Sequence, residues 1–155
     1  RISSRILLSS PRRSDLRTMS DSGSTHSYSS DELVTIYELG RLYFEMGYFA
    51  PAERIFSGLI AVDEGRSLAR LCLGLVKLER GLFREAITHF RTALQTGACE
   101  IQAKLGLCAA FVALSEIPRA RSMLEEISSA LSTGRDVDPE VRKLFEAFVL
   151  RCKAN

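Results

Sequence analysis

The feature that most constrains this chain is that it repeats itself every 34 residues. "GYFAPAERIF" (Gly47 to Phe56) returns as "GLFREAITHF" (Gly81 to Phe90), with Gly, Phe, Ala and Phe at matching places. Frames opened at Leu33, Ser67 and Ile101 extend the match to three units in register without a gap, 33–66, 67–100 and 101–134. Counting from the first residue of each frame, position 7 is Leu39, Leu73 and Leu107, and position 8 is Gly40, Gly74 and Cys108. Position 15 is Gly47, Gly81 and Ser115; position 17 is Phe49, Phe83 and Ile117. Position 20 is Ala52, Ala86 and Ala120; position 24 is Phe56, Phe90 and Leu124. A chain with such a period builds one supersecondary unit several times over. No unit buries its apolar face alone, so the units must stack.

Each recurring residue type has a mechanical reason. Within a unit, apolar residues return at three- and four-residue spacing, the mark of amphipathic helices. Gly47 and Gly81 end the first helix of their units, where a left-handed backbone is cheapest for glycine. Small residues at positions 8 and 20 let two antiparallel helices approach closely. The large residue at position 24 fills the space between one helix pair and the next. Pro118 falls in the first turn of the third unit's second helix, where proline is tolerated. Beyond Gly134, "DPEVRKLFEAFVLRCK" offers Asp138 as N-cap and Pro139 as the first helical residue. Val141, Leu144, Phe145, Phe148, Val149 and Cys152 then form one apolar stripe. The stretch 138–153 therefore reads as a helix capping the open end of the stack.

The residues that repeat carry a resemblance. Leu39, Gly40 and Tyr43, then Gly47 to Ala52, then Phe56, resemble the tetratricopeptide repeat family from about Leu33 to Gly134. The family's frequent proline at position 32 is replaced by Glu64, Ala98 and Ser132. The resemblance implies an all-α, right-handed superhelical stack of three helix–turn–helix units plus the C-terminal cap. It also implies that positions 2, 5, 9, 12 and 13 face a concave groove. In unit one these are Val34, Tyr37, Arg41, Phe44 and Glu45. In unit two they are Leu68, Leu71, Leu75, Leu78 and Glu79, and in unit three Gln102, Leu105, Ala109, Val112 and Ala113. A groove of this composition is apolar, with four leucines in its middle. Many co-chaperones of the family grip an acidic C-terminal peptide with a clamp of Lys, Asn and Arg. Here the clamp positions hold Tyr37, Arg41, Cys72, Gln102 and Gly106, of which Arg41 alone is basic, so a two-carboxylate clamp is not expected.

Burying a leucine fully is worth about 1.5–3 kcal/mol, so four leucines left in water call for a cover. Three covers are open: an extended or helical apolar segment of a protein partner, the chain's own N-terminal lead-in, or a second copy of the chain. If the leucines line an open groove, glutamate at Leu71 and Leu75 should abolish binding and leave helicity intact.

Composition separates a tail from a body. Hydrophobic residues at 46% and charged residues at 26% suit one soluble globular domain. Residues 1–18 hold Arg1, Arg5, Arg12, Arg13 and Arg17 against Asp15 alone; without them the chain has 16 basic and 18 acidic residues, a net of −2. The basic character thus belongs to the tail, which superficially suits a transit peptide. Met19 follows it directly and reads as the natural start, with 1–18 as upstream-translated or expression-derived sequence. Residues 20–30, "SDSGSTHSYSS", are too polar to pack and read as a disordered lead-in. Five scattered arginines are a weak nucleic-acid signal, and no nucleic-acid partner is expected. No run approaches eighteen apolar residues, so no membrane insertion is expected.

Three such units, a polar lead-in, a capping helix and an apolar concave face together resemble the translocator (class II) chaperones of bacterial type III secretion. Their layout is matched by "SSDELVTIYELGRLYFEMGYFAPAERIFSGLIAVD", with its acidic N-cap, Tyr-rich first helix and closing Asp63. This resemblance implies a cytoplasmic bacterial chaperone holding an apolar segment of a membrane-inserting translocator. The alternatives are a general repeat scaffold, a needle-subunit chaperone of the same systems, and a homodimeric regulator. Nothing points to an enzyme, a metal or a cofactor. His26 and His89 have no ligand-like spacing around them, and no Gly-rich phosphate loop is present. Cys72, Cys99, Cys108 and Cys152 form no C-x-x-C pair, and Cys72 and Cys108 read as small buried hydrophobes.

Overall fold

The structure, a computed structural model, describes Leu7, Leu8 and residues 28–62, 67–97, 99–134 and 137–154. Among the described residues seven helices follow one another: α1 (Ser30–Glu45), α2 (Phe49–Val62), α3 (Ser67–Glu79), α4 (Phe83–Gln95), α5 (Glu100–Ala113), α6 (Ile117–Ser132) and α7 (Pro139–Lys153). Each repeat unit is one antiparallel hairpin: α1 with α2, α3 with α4, α5 with α6. Each second helix also packs on the next first helix, and the first helices touch one another, α1 on α3 and α3 on α5. The first helices therefore form the inner layer of the stack. The polar lead-in at 20–27 lies outside the described residues.

Close approach between the hairpins is made by glycine under phenylalanine. A Cβ added to Gly40 would lie 2.8 Å from Phe56 Cε1, and one on Gly74 would lie 2.5 Å from Phe90 Cε1. Gly106, at position 6 of the next unit, meets the same ring from the other side, 2.5 Å from Phe90 Cζ. Phe56 and Phe90 are fully buried, as are Ala52, Ala86 and Ala120 at position 20. Unit three follows the same rule with volumes exchanged: Cys108 replaces the glycine and Leu124 replaces the phenylalanine.

The turns inside the hairpins repeat as backbone, not only as sequence. Gly47 (φ 82°), Gly81 (φ 75°) and Ser115 (φ 60°) are all left-handed. In each, the left-handed N–H bonds back three residues, to Phe44, Leu78 and Val112 oxygens at 3.0 Å. The next N–H bonds back five, from Tyr48 to Tyr43 and from Glu116 to Phe111 at 2.8 Å, and from Leu82 to Lys77 at 2.9 Å. These are the paired bonds of a Schellman cap. Ser115 adopts it against a steric cost of about 1–2 kcal/mol that glycine avoids.

The ends are sealed differently. At the start of α1 the cap is Ser29, not an acid: its hydroxyl accepts from Glu32 N–H at 3.3 Å while the Glu32 carboxylate accepts from Ser29 N–H at 2.7 Å. The acidic cap expected from sequence is corrected to a capping box, with the acid at its third helical position. Asp138 caps α7 as expected, accepting from Glu140 N–H at 2.8 Å. The Arg121 guanidinium of α6 donates twice to the Cys152 carbonyl, at 3.1 and 2.7 Å, satisfying an oxygen at the C-terminal end of α7. At the opposite end α1 has no predecessor among the described helices. Leu73 and Leu107 are 5% and 2% exposed against the preceding unit, whereas their repeat equivalent Leu39 is 45% exposed.

The glycine–phenylalanine rule yields a test by volume exchange. Gly74→Ala should cost about 1–3 kcal/mol by overpacking, and Phe90→Leu about 1 kcal/mol by loosening. Together they approach the Cys108–Leu124 solution of unit three. Urea unfolding of the cycle should show the double variant at least about 0.5 kcal/mol more stable than the summed singles. Strict additivity would mean that the ring does not limit the helix approach.

Candidate functional site

The positions expected to face a concave groove lie on α1, α3 and α5, and their burial divides them into a sealed set and a wetter margin. Tyr37, Phe44, Leu71, Leu75, Leu105 and Val112 are buried, and Ala109 with them. Val34, Arg41, Leu68, Leu78 and Gln102 are partly buried. Glu79 and Ala113 are exposed, and Glu45 retains 40% of its side-chain surface. Four leucines standing in water is therefore not what is found. Leu71 and Leu75 are 1% and 0% exposed, while Leu68 and Leu78, toward the two ends of α3, still reach solvent. Glutamate at Leu71 and Leu75 would place two charges in the core and unfold the hairpin rather than leave helicity intact.

Tyr37 belongs to the seam between units one and two. Its ring meets Phe56 at 6.0 Å between centroids, and its hydroxyl accepts from the Cys72 thiol at 3.5 Å. Burial pushes the Tyr37 hydroxyl well above its ordinary value and the Cys72 thiol up to about 12. Burial, then the neighbouring Cys152 thiol, also pushes Cys108 up to about 12. Both thiols are protonated at neutral pH, the opposite of what a nucleophile or metal ligand needs. Cys72 and Cys108 are packing residues, and none of the four cysteines is in a disulfide. His89 is partly buried, and burial followed by Lys77 and Arg70 lowers its pKa. Among the described residues no group of three or more His, Cys, Asp or Glu could hold a metal ion. His26 lies outside them.

The carboxylate-clamp positions cannot work as a clamp. Tyr37 and Cys72 are buried, and Gly106 lies under Phe90. Arg41 is held on its own helix by Glu38 at 3.4 Å and Glu45 at 3.0 Å. These pairs set a charged rim beside the apolar floor. Lys77 plays a different part. It joins Glu53 of α2 and Glu85 of α4, each at 2.8 Å, and so ties unit one to unit two. Lys104 binds Glu100 of its own helix and Glu126 of α6, each at 2.9 Å, and so ties α5 to α6.

Two apolar features lay outside the sequence reading of the site. Leu7 and Leu8 lie in the stretch 1–18 that the sequence suggested is extraneous, yet in a short 3₁₀ turn they are 1% and 3% exposed and share the core cluster of the helices, so this part of the tail packs with the body. The signal was the aliphatic run Ile6–Leu7–Leu8, masked by surrounding Arg and Ser. The second feature is the outer face of α1, where Leu39, Leu42 and Met46 are 45%, 52% and 58% exposed.

No protein-family model and no curated protein sequence matches the chain. Solved structures do. The fold is that of the Yersinia enterocolitica type III secretion translocator chaperone SycD. One structure of it aligns with a TM-score of 0.71 at 21% identity, over 82% of this chain and 92% of that one. A second, of the same chaperone in an alternative dimer, aligns with a TM-score of 0.64 at 24% identity, over 81% and 98%. The all-α stack of hairpins with its capping helix is thus a known architecture. None of the chain's helices is long and apolar enough to cross a membrane, among the described residues.

The thiol environments are testable. With iodoacetamide at pH 8, Cys99, which reaches solvent, should be alkylated first. Cys72 and Cys108 should react at least about 100-fold more slowly, until denaturant opens the stack. Peptide mass mapping reads the order; early labelling of Cys72 would show that the seam between units one and two is open.

Proposed function

We propose that the chain is a non-enzymatic chaperone that holds an apolar segment of a protein partner along the face made by α1, α3 and α5. The observation that carries this reading is the fold shared with a translocator chaperone, joined to an inner face whose floor is aliphatic and whose margin keeps Leu68 and Leu78 within reach. The partner is a secreted, membrane-inserting translocator of a bacterial type III system, kept unassembled in the cytoplasm until export. Its segment lies over the floor of Tyr37, Phe44, Leu71, Leu75, Leu105 and Val112. Val34, Arg41 and Gln102 on the margin orient it. An apolar segment buried there gains about 1.5–3 kcal/mol for each large side chain covered, with no catalytic group required.

Tagged and expressed in its host, the full chain should retain such a secreted protein. Leu68→Glu with Leu78→Glu alters the wet margin and spares the sealed floor. It should reduce retention at least about tenfold, a loss of roughly 1.4 kcal/mol, with helical circular dichroism unchanged. Undiminished retention would move the interface to the convex face.

The outer face of α1 supports a second reading, that the chain also pairs with a copy of itself. Leu42 is 52% exposed, whereas its repeat equivalents Val76 and Ala110 are fully covered by the preceding unit. An uncovered seam of this kind accepts a helix, and one of the similar SycD structures is a dimer. Sedimentation should show a dimer at micromolar concentration that Leu42→Glu converts to a monomer. A wild-type monomer at that concentration would end this reading.

A further inference from the structure

We infer that Leu7 and Leu8 occupy the concave groove as a tethered stand-in for the partner segment, so that a partner must displace them. The site accordingly takes a short turn presenting two adjacent aliphatic side chains. This rests on the groove reading above and names what the groove recognises.

Four observations lead there. First, α3 is buried at every residue from Leu71 to Val76, and α5 at every residue from Leu105 to Val112. Runs of that length exceed a 3.6-residue turn, so the middle of each helix is dry on every side. The second helices, by contrast, keep exposed polar faces, among them Arg84, Glu85 and Thr88 of α4. The positions that the repeat register turns inward, Leu71, Leu75, Leu105 and Ala109, are among the dry ones. Second, among the described residues Leu7 and Leu8 are the fully buried members of the core cluster that lie outside the seven helices. Third, Leu39 and Leu42 on α1 and Leu150 on α7 are 45%, 52% and 69% exposed, so the pair covers none of these. Fourth, the connection permits it. The residues between Leu8 and Ser30 can span up to roughly 70 Å, far beyond the length of any helix here. The tail's five arginines against Asp15 are also drawn to a body of net charge −2.

The test uses a fluorescein-labelled peptide of residues 1–13 as the probe, with the full chain as receptor. Against wild type the tethered pair competes, at an effective concentration on the order of millimolar. The Leu7→Ser, Leu8→Ser variant should therefore bind the peptide at least about tenfold more tightly than wild type. The same peptide with both leucines changed to serine should bind neither protein. Equal affinity of wild type and variant for the probe overturns the inference. Should the variant lose its helical signal, methyl NMR on the wild-type chain decides. Saturating peptide should move the Leu7 and Leu8 methyl resonances to solvent-exposed positions, and resonances that stay in place overturn the inference. The groove reading fails separately. If a secreted protein is retained and lost with Leu68→Glu and Leu78→Glu while Leu7 and Leu8 never move, the groove stands and the tethered occupant falls.

Discussion

The stack depends on one ring seated between two missing side chains. Phe90 lies against Gly74 of its own hairpin and Gly106 of the next, so a single buried side chain fixes the spacing of three helices. Dispersion falls off steeply with small gaps, and the contact works only because neither first helix carries a Cβ there. The same demand recurs at each period, which is why the sequence must repeat every 34 residues. Unit one meets it with Gly40 and Phe56, with Cys72 standing where Gly106 stands in the next unit. Unit three meets it with Cys108 and the smaller Leu124. What is held constant is a sum of volumes, and the residue types vary around it.

That constraint is local, and local constraints are what a sequence displays. The hairpin turns, the glycine–phenylalanine seams, the Asp138 cap and the apolar stripe of α7 could all be read from spacing, because each joins residues within one or two periods. The failures share the opposite property. Leu39 carries the same repeat signal as Leu73 and Leu107, yet it is exposed, because its burial depends on a preceding unit that the described chain lacks. Leu71 and Leu75 occupy groove positions by register, yet they are sealed. Register says which way a side chain points; it does not say whether a distant segment lies on top. Leu7 and Leu8 sit in an Arg- and Ser-rich stretch whose average polarity hides two adjacent aliphatic residues.

The outer face of α1 and the inner face of the first helices differ in shape, and shape separates the uses proposed for them. The outer face of α1 is the side of a helix, equivalent to the surface that α2 covers on α3 and α4 covers on α5. It is complementary to another helix lying alongside, and two copies of one chain can satisfy it by symmetry. The inner face, on the reading proposed above, is a trough across three parallel first helices, with aliphatic floor and charged rim. Its natural complement is a chain segment crossing those helices, with side chains entering the trough and backbone toward water.

A trough of this kind cannot simply wait open in water. Two leucines buried together are worth roughly 3–6 kcal/mol, less the entropy of ordering their flanks, about 1–2 kcal/mol for each residue fixed. The balance leaves a cover that holds in the absence of a partner and yields to a longer segment filling more of the floor. A tethered pair whose intrinsic dissociation constant is about a tenth of its effective concentration lowers partner affinity only about tenfold. It also removes the aggregation hazard of a bare aliphatic floor. A cover much stronger than this would abolish binding, and a weaker one would leave the floor wet. Two adjacent leucines on a polar, basic tether are, on the inference above, a cover small enough for a longer segment to replace.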